Sequence, residues 1–398
     1  MGGPFGIGIK RGGYVQAADF VRAVTVVAMV GVHSTWYMAN GGHWVSSGAV
    51  LALLHFTRES FMALTGFVLT YSLSGRVIRW VPVLWKRYRL VLFPYVFWTA
   101  AYMVAFRHVG SFEFFAGRFG HSLLDGGGWF HLYYLLVTMQ FYAILPLFFL
   151  LMRLAKRYPI GVVGVALLMQ LGLMTYDQYG RGPHPQGLNA YVGEEVWTYV
   201  AYFVLGGVAA MYWETVQRWL HDHLLLVNVL AVGTASLLML QFMMQMRSGP
   251  YLARADSVVQ PAMIPWAVTA VVLLAAYGVR YEAARQREPG RWPLIKWAAD
   301  LSFGLYLIHP MILQYWTNGL SYFHWDYPSF WLDGLTWVLL VAASGLVSQA
   351  ISRTPASRFI IGRAAVPPGV GKSIEGGVGQ RLWKRSRHTW GWRRRSRT

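Results

Sequence analysis

The stretch AADFVRAVTVVAMVGVHSTWYM, residues 17–38, decides how this chain folds. It is apolar enough and long enough to cross a hydrocarbon core as one helix. It nevertheless carries Arg22 and His33. Their separation of eleven residues is close to three helical turns, so both side chains share one face, about 16 Å apart along the axis. A guanidinium and an imidazole inside a membrane span are costly, and such residues mark working sites.

Working outward, the same apolar character recurs along the chain. Of 398 residues, 56% are hydrophobic and 13% charged, against roughly 25% charged in soluble domains. Spans are predicted at 19–39, 48–72, 88–108, 129–151, 160–176, 197–213, 223–246, 262–281, 299–318 and 331–353. The expectation is an all-α, polytopic integral membrane helical bundle of about ten transmembrane helices. An N-terminal segment (1–13) precedes the transmembrane domain (14–355). A Gly/Pro/Arg-rich tail follows (356–398), with Pro367-Pro368 in a flexible stretch.

Basic residues orient the bundle. With ten spans the termini share a side, which holds 28 Lys/Arg against five on the other. Both termini are therefore expected in the cytoplasm, and the net charge of +19 is largely topology signal and tail. The tail reads two ways, as a segment lying on an anionic leaflet or as a solvated polybasic end. No folded reader module accompanies it, so no nucleic-acid partner is expected.

Absent cysteines exclude disulfides and thiolate chemistry. No metal is expected, since His221-x-His223 falls in a predicted cytoplasmic loop with no third ligand at suitable spacing. No cleavable leader is visible either, so span one should stay in the membrane. The longest predicted outer loop, 177–196, is polar, and its Asp177, Glu194 and Glu195 either bind a ligand or are solvated.

The polar residues inside the spans are the site candidates. Asp19 and Arg22 are three apart on one helix face and can pair. Arg22 otherwise snorkels to the headgroups, and His33 lies too deep for that. Glu59 falls at a depth similar to His33, where a carboxylate would orient an imidazole or lock two helices by an ion pair. Arg58 points about 100° away from it. The cluster Lys86-Arg87-Tyr88-Arg89 either clamps phosphates or anchors the inner face. Span four brings His131, Gln140 and Tyr142, and span nine His309.

Five blocks resemble the membrane-bound acyltransferase-3 family, whose members move acyl groups onto surface carbohydrates and other extracytoplasmic acceptors. They are Asp19…Arg22-x10-His33, FMALTGFVLT (61–70), WKRYRLVLFPY (85–95), WFHLYYLLVTMQFYAILPLF (129–148) and LSFGLYLIHPMIL (301–313). Two departures stand out: Thr65 replaces the family's usual Ser, and Lys86-x-x-Arg89 replaces the common Arg-x-x-Arg. The second matters more, because Lys is a point charge where Arg is a planar fork.

The resemblance implies an enzyme without a permanent cofactor, using acyl-CoA, expected to be acetyl-CoA, as donor. The acceptor is expected to be the hydroxyl of a cell-surface carbohydrate or related molecule, and the site the plasma membrane of a bacterium. His33 would act as general base, with Glu59 orienting it. Arg22, Lys86 and Arg89 would hold the donor's phosphates, while Asp19, His131, Gln140, Tyr142 and His309 would line the site. A carrier exporting a glycan or lipid-linked sugar is the competing expectation. No repeat of Gly/Pro-broken spans supports it.

Overall fold

A computed structural model of the chain describes residues 13–38, 45–106, 112–179, 195–247, 255, 257, 259–324 and 329–363. Among these residues there is no strand. The helices are α1 (Ala17–Met38), α2 (Val45–Leu54), α3 (Thr57–Leu73), α4 (Trp80–Phe106), α5 (Phe112–Asp125), α6 (Tyr133–Ala143), α7 (Leu145–Ala155), α8 (Pro159–Tyr179) and α9 (Val200–Met211). They continue with α10 (Trp213–Asp222), α11 (Leu224–Arg247), α12 (Met263–Arg287), α13 (Pro293–Tyr322), α14 (Phe330–Ser352) and α15 (Ser357–Ile360). The chain is an all-α polytopic membrane bundle. The tail beyond 363 and the core of the loop at 180–194 lie outside the described residues.

Six helices are individually long and apolar enough to cross a membrane: α1, α4, α8, α11, α12 and α14. The remaining expected spans take other forms. The span expected at 129–151 is the pair α6–α7, bent by 62°. Pro146 sits in the first turn of α7; it has no N–H for the carbonyl of Tyr142, and its ring crowds that carbonyl. The span expected at 48–72 is interrupted after Leu54, so α2 and α3 are separate helices. Span six is short, a 3-10 turn (Val196–Thr198) leading into α9. Span nine is the apolar part of α13, a 30-residue helix that starts with Pro293 in its first turn and carries Lys296 and Asp300.

Helix α1 is the most buried of the six, whereas α8 and α11 are the least. That contrast separates a helix wrapped by protein from helices facing lipid. At one end the Ala17 N–H, an orphan donor of the first turn, donates to Glu282 of α12 at 3.2 Å. At the other, Ser34 and Thr35 donate to the two carboxylate oxygens of Asp333 on α14, at 2.6 and 2.8 Å. Between them the Trp337 indole donates to the Val27 carbonyl at 2.7 Å.

Short α9 compensates for its length by close approach to α3. A Cβ on Gly66 would meet the Phe203 carbonyl, and one on Gly206 would meet the Ala63 carbonyl. Reciprocal glycines of this kind let two membrane helices pack backbone to backbone. The contact holds α3 beside α1 and gives the site a rigid wall.

Candidate active site

One carboxylate organises the Arg22 end of α1. Asp19 is 1% exposed and accepts from the Tyr14 hydroxyl at 2.5 Å. Arg22 Nη1 lies 3.6 Å from its Oδ1, and Lys296 Nζ 3.6 Å from its Oδ2. Lys296 also donates to Asp300 at 2.7 Å, and Arg363 donates to the Asp300 carbonyl at 2.5 Å. Asp19 therefore anchors Arg22 in an ion network and sits at the end of α1 opposite His33.

Arg22 borders a cavity of about 290 Å³. From α3 come Phe61, Leu64, Thr65, Val68 and Leu69; from α6 come Tyr134, Leu135, Thr138 and Tyr142. Both sets follow i, i+3, i+4 spacing, one face of each helix, and each covers about 12 Å of axis. Ser302, Phe303 and Tyr306 of α13 also line it.

The second cation in this cavity is Arg87, not Lys86 or Arg89. Arg87 is half-buried and donates from Nη2 to Ser72 Oγ at 3.2 Å. Lys86 and Arg89 are exposed. Helical phase explains the difference. The buried face of α4 includes Val91, Pro94, Tyr95, Trp98, Thr99 and Tyr102. Arg87 extends that stripe by one turn, while Lys86 and Arg89 share another face.

At the far end of the cavity Tyr134 meets Tyr306, and Tyr306 adjoins a cluster of imidazoles. The Tyr306 hydroxyl donates to the His131 carbonyl, and its ring lies 5.1 Å from that of His131 and 6.5 Å from that of His309. The His33 ring is 5.2 Å from His309 and 4.8 Å from Phe130. His131 meets His309 edge-on at 5.8 Å. Three histidines from the first, fourth and ninth expected spans thus converge. His131 and His309 are buried, and His33 is half-buried. Among the described residues no group of three His, Asp or Glu side chains has metal-ligating geometry.

Glu59 occupies an adjoining neighbourhood. It is 2% exposed, and its Oε2 has no hydrogen-bond partner. Its electrostatic neighbours include Arg58, Tyr134, Tyr199 and Tyr202. No hydrogen bond joins it to His33, so the expected orienting contact is not formed in this structure. Arg58 donates to the Tyr133 hydroxyl at 2.7 Å and lies within electrostatic range of His33. Gln140 accepts from the Val196 N–H at 2.8 Å, bracing the entry to α9. Tyr142 lines the cavity near its Arg87 end, its ring edge-on to Tyr88 at 5.8 Å.

Arg87 stands in the basic cluster and Tyr306 in the block 301–313, yet neither is among the expected site residues, and the Arg58–Tyr133 pair joins positions 75 apart in sequence. The phase of α4 was the available signal for Arg87. Tyr306 is the tyrosine of the block 301–313, but its place beside His131 and Tyr134 depends on how α13 packs.

The fold and site define a multi-pass membrane protein in which a cavity with two cations shares one wall residue, Tyr306, with a cluster of histidines. A family model described as an acyltransferase domain, that of the acyltransferase-3 family, matches residues 15–353. The chain belongs to that family and is a membrane acyltransferase. No curated protein and no solved structure matches it.

Proposed function

We propose that the protein transfers an acyl group, acetyl in the first instance, from cytoplasmic acyl-CoA to a hydroxyl of a carbohydrate outside the cytoplasm. One observation carries this reading: the cavity is lined by Arg22 and Arg87 and also by Tyr306, which adjoins the imidazoles. Both termini are assigned to the cytoplasm by the basic-residue asymmetry, in a bacterial plasma membrane. Arg22 and Arg87 then face the nucleotide phosphates of the donor, and the pantetheine arm lies along the cavity. Lys86 and Arg89 contribute at most to the field at the mouth.

His33 serves as general base. Its ring nitrogen takes the proton of the acceptor hydroxyl as the oxygen attacks the thioester carbon. The tetrahedral oxyanion then collapses, the C–S bond breaks, and the thiolate recovers the proton from His33. Arg58 provides a fixed positive charge on the His33 side for the oxyanion, and Glu59 balances that charge. His131 and His309 line the chamber.

The test is transfer of radiolabelled acetyl from acetyl-CoA to envelope acceptors by reconstituted protein, with products separated into glycan, lipid and protein. Label in the glycan fraction is expected, lost in His33→Ala. Transfer by His33→Ala at the wild-type rate would remove the base assignment. Glycan flux without consumption of acetyl-CoA would replace the reading with export.

A further inference from the structure

His309 has a property that the proposed steps leave unused. It is wholly buried, and its Nδ1 lies 3.0 Å from the Leu305 carbonyl oxygen. A carbonyl only accepts, so Nδ1 carries the proton and donates it. The next residue, Pro310, reinforces this choice. Proline has no N–H, so the Tyr306 carbonyl one turn back loses its helical donor and faces the same imidazole. The consecutive His309-Pro310 thus fixes the tautomer from the backbone. In the neutral ring Nε2 is left as an acceptor, and it is buried with no hydrogen-bond partner.

His33 has the complementary deficit. A base that accepts a proton at one ring nitrogen holds a proton on the other, and that N–H needs an acceptor to set the tautomer and the ring orientation. Among the described residues His33 makes no hydrogen bond. Its ring centroid lies 5.2 Å from that of His309, with 27° between the planes. At that separation a small rotation of His33, or one bridging water, joins its N–H to Nε2. Hydrogen bonds of a catalytic site are commonly loose without substrate and tighten on binding. His131 is less suited to the part: both of its ring nitrogens lack a hydrogen-bond partner, so its tautomer is not set as that of His309 is.

We infer that His309 is the positioning residue of the base, completing a relay of Leu305 carbonyl, His309 and His33 in which His309 Nε2 accepts from the His33 N–H. The group that orients the base is then a neutral imidazole fixed by the backbone, in place of a carboxylate such as Glu59. This rests on the reading of His33 as base.

The experiment uses the full chain with His309→Gln, His309→Asn and His309→Phe, reconstituted into vesicles. Gln places amide atoms near the position of Nε2, Asn near that of Nδ1, and Phe keeps the ring shape with no nitrogen. Loss of an orienting contact acts on the chemical step, so Asn and Phe should lower kcat at least about tenfold and leave the donor KM within about twofold. Gln should recover at least about threefold over Asn. A second readout needs no turnover: ¹⁵N spectra of histidine-labelled protein should show one His33 tautomer in the wild type and a mixture in His309→Asn. Wild-type kcat in Asn or Phe, or Gln no better than Asn, would overturn the inference, and the Gln–Asn comparison decides it even if Phe fails to assemble. If His33→Ala keeps full activity while the His33 tautomer still responds to His309, the base assignment fails and the relay contact stands.

Discussion

Replacing Arg87 by alanine tests the donor end of the site. Arg87 lines the cavity and donates to a neutral hydroxyl, Ser72 Oγ, at 3.2 Å. Its removal strands no buried carboxylate, so the cost to folding is small. The cost to donor binding is larger, because a hydrogen bond to a charged group is worth about 1.5–3 kcal/mol. That corresponds to an increase of about 10- to 150-fold in the donor KM. Lys86→Ala and Arg89→Ala remove exposed charges that solvent screens, and each should change the same KM by less than about threefold. Arg87→Lys keeps the charge and loses the fork, so it should fall between. The assay is initial-rate acetyl transfer by protein in vesicles, with acetyl-CoA varied at saturating acceptor. An Arg87→Ala donor KM within about twofold of wild type, or a larger effect from Lys86→Ala, would refute the assignment.

Two further outcomes follow from the packing. Gly66→Ala forces a methyl against the Phe203 carbonyl and should destabilise the bundle by about 1–3 kcal/mol. Gly233→Ala has nothing within 4 Å of the added methyl and should be neutral or stabilising by up to about 1 kcal/mol. Thermal unfolding in detergent checks both, and equal midpoints for the two variants would contradict the close α3–α9 approach. Glu59→Gln should lower the unfolding midpoint, because it removes the charge beside Arg58, while kcat stays within about threefold of wild type. A loss of kcat comparable to that of His33→Ala would put this carboxylate back into the chemistry.

The sequence by itself determined that the chain is a helical membrane bundle, because repeated apolar runs of span length leave backbone hydrogen bonds no other way to be satisfied in lipid. It also singled out Arg22 and His33, since eleven residues on one helix fix both their shared face and their separation. His131 and His309 were visible as candidates in their own segments, but their meeting with His33 was not, because it depends on how α1, α6 and α13 cross. The same limit applies to the cations proposed to hold the donor. Lys86, Arg87 and Arg89 are equivalent as charges, and the rotation of α4 against its neighbours puts Arg87 in the cavity wall. The match of Glu59 to His33 rests on depth, and depth does not specify a neighbour. Only tertiary packing put that carboxylate among Tyr134, Tyr199 and Tyr202 and set a second imidazole, its tautomer fixed by Leu305 and Pro310, beside His33.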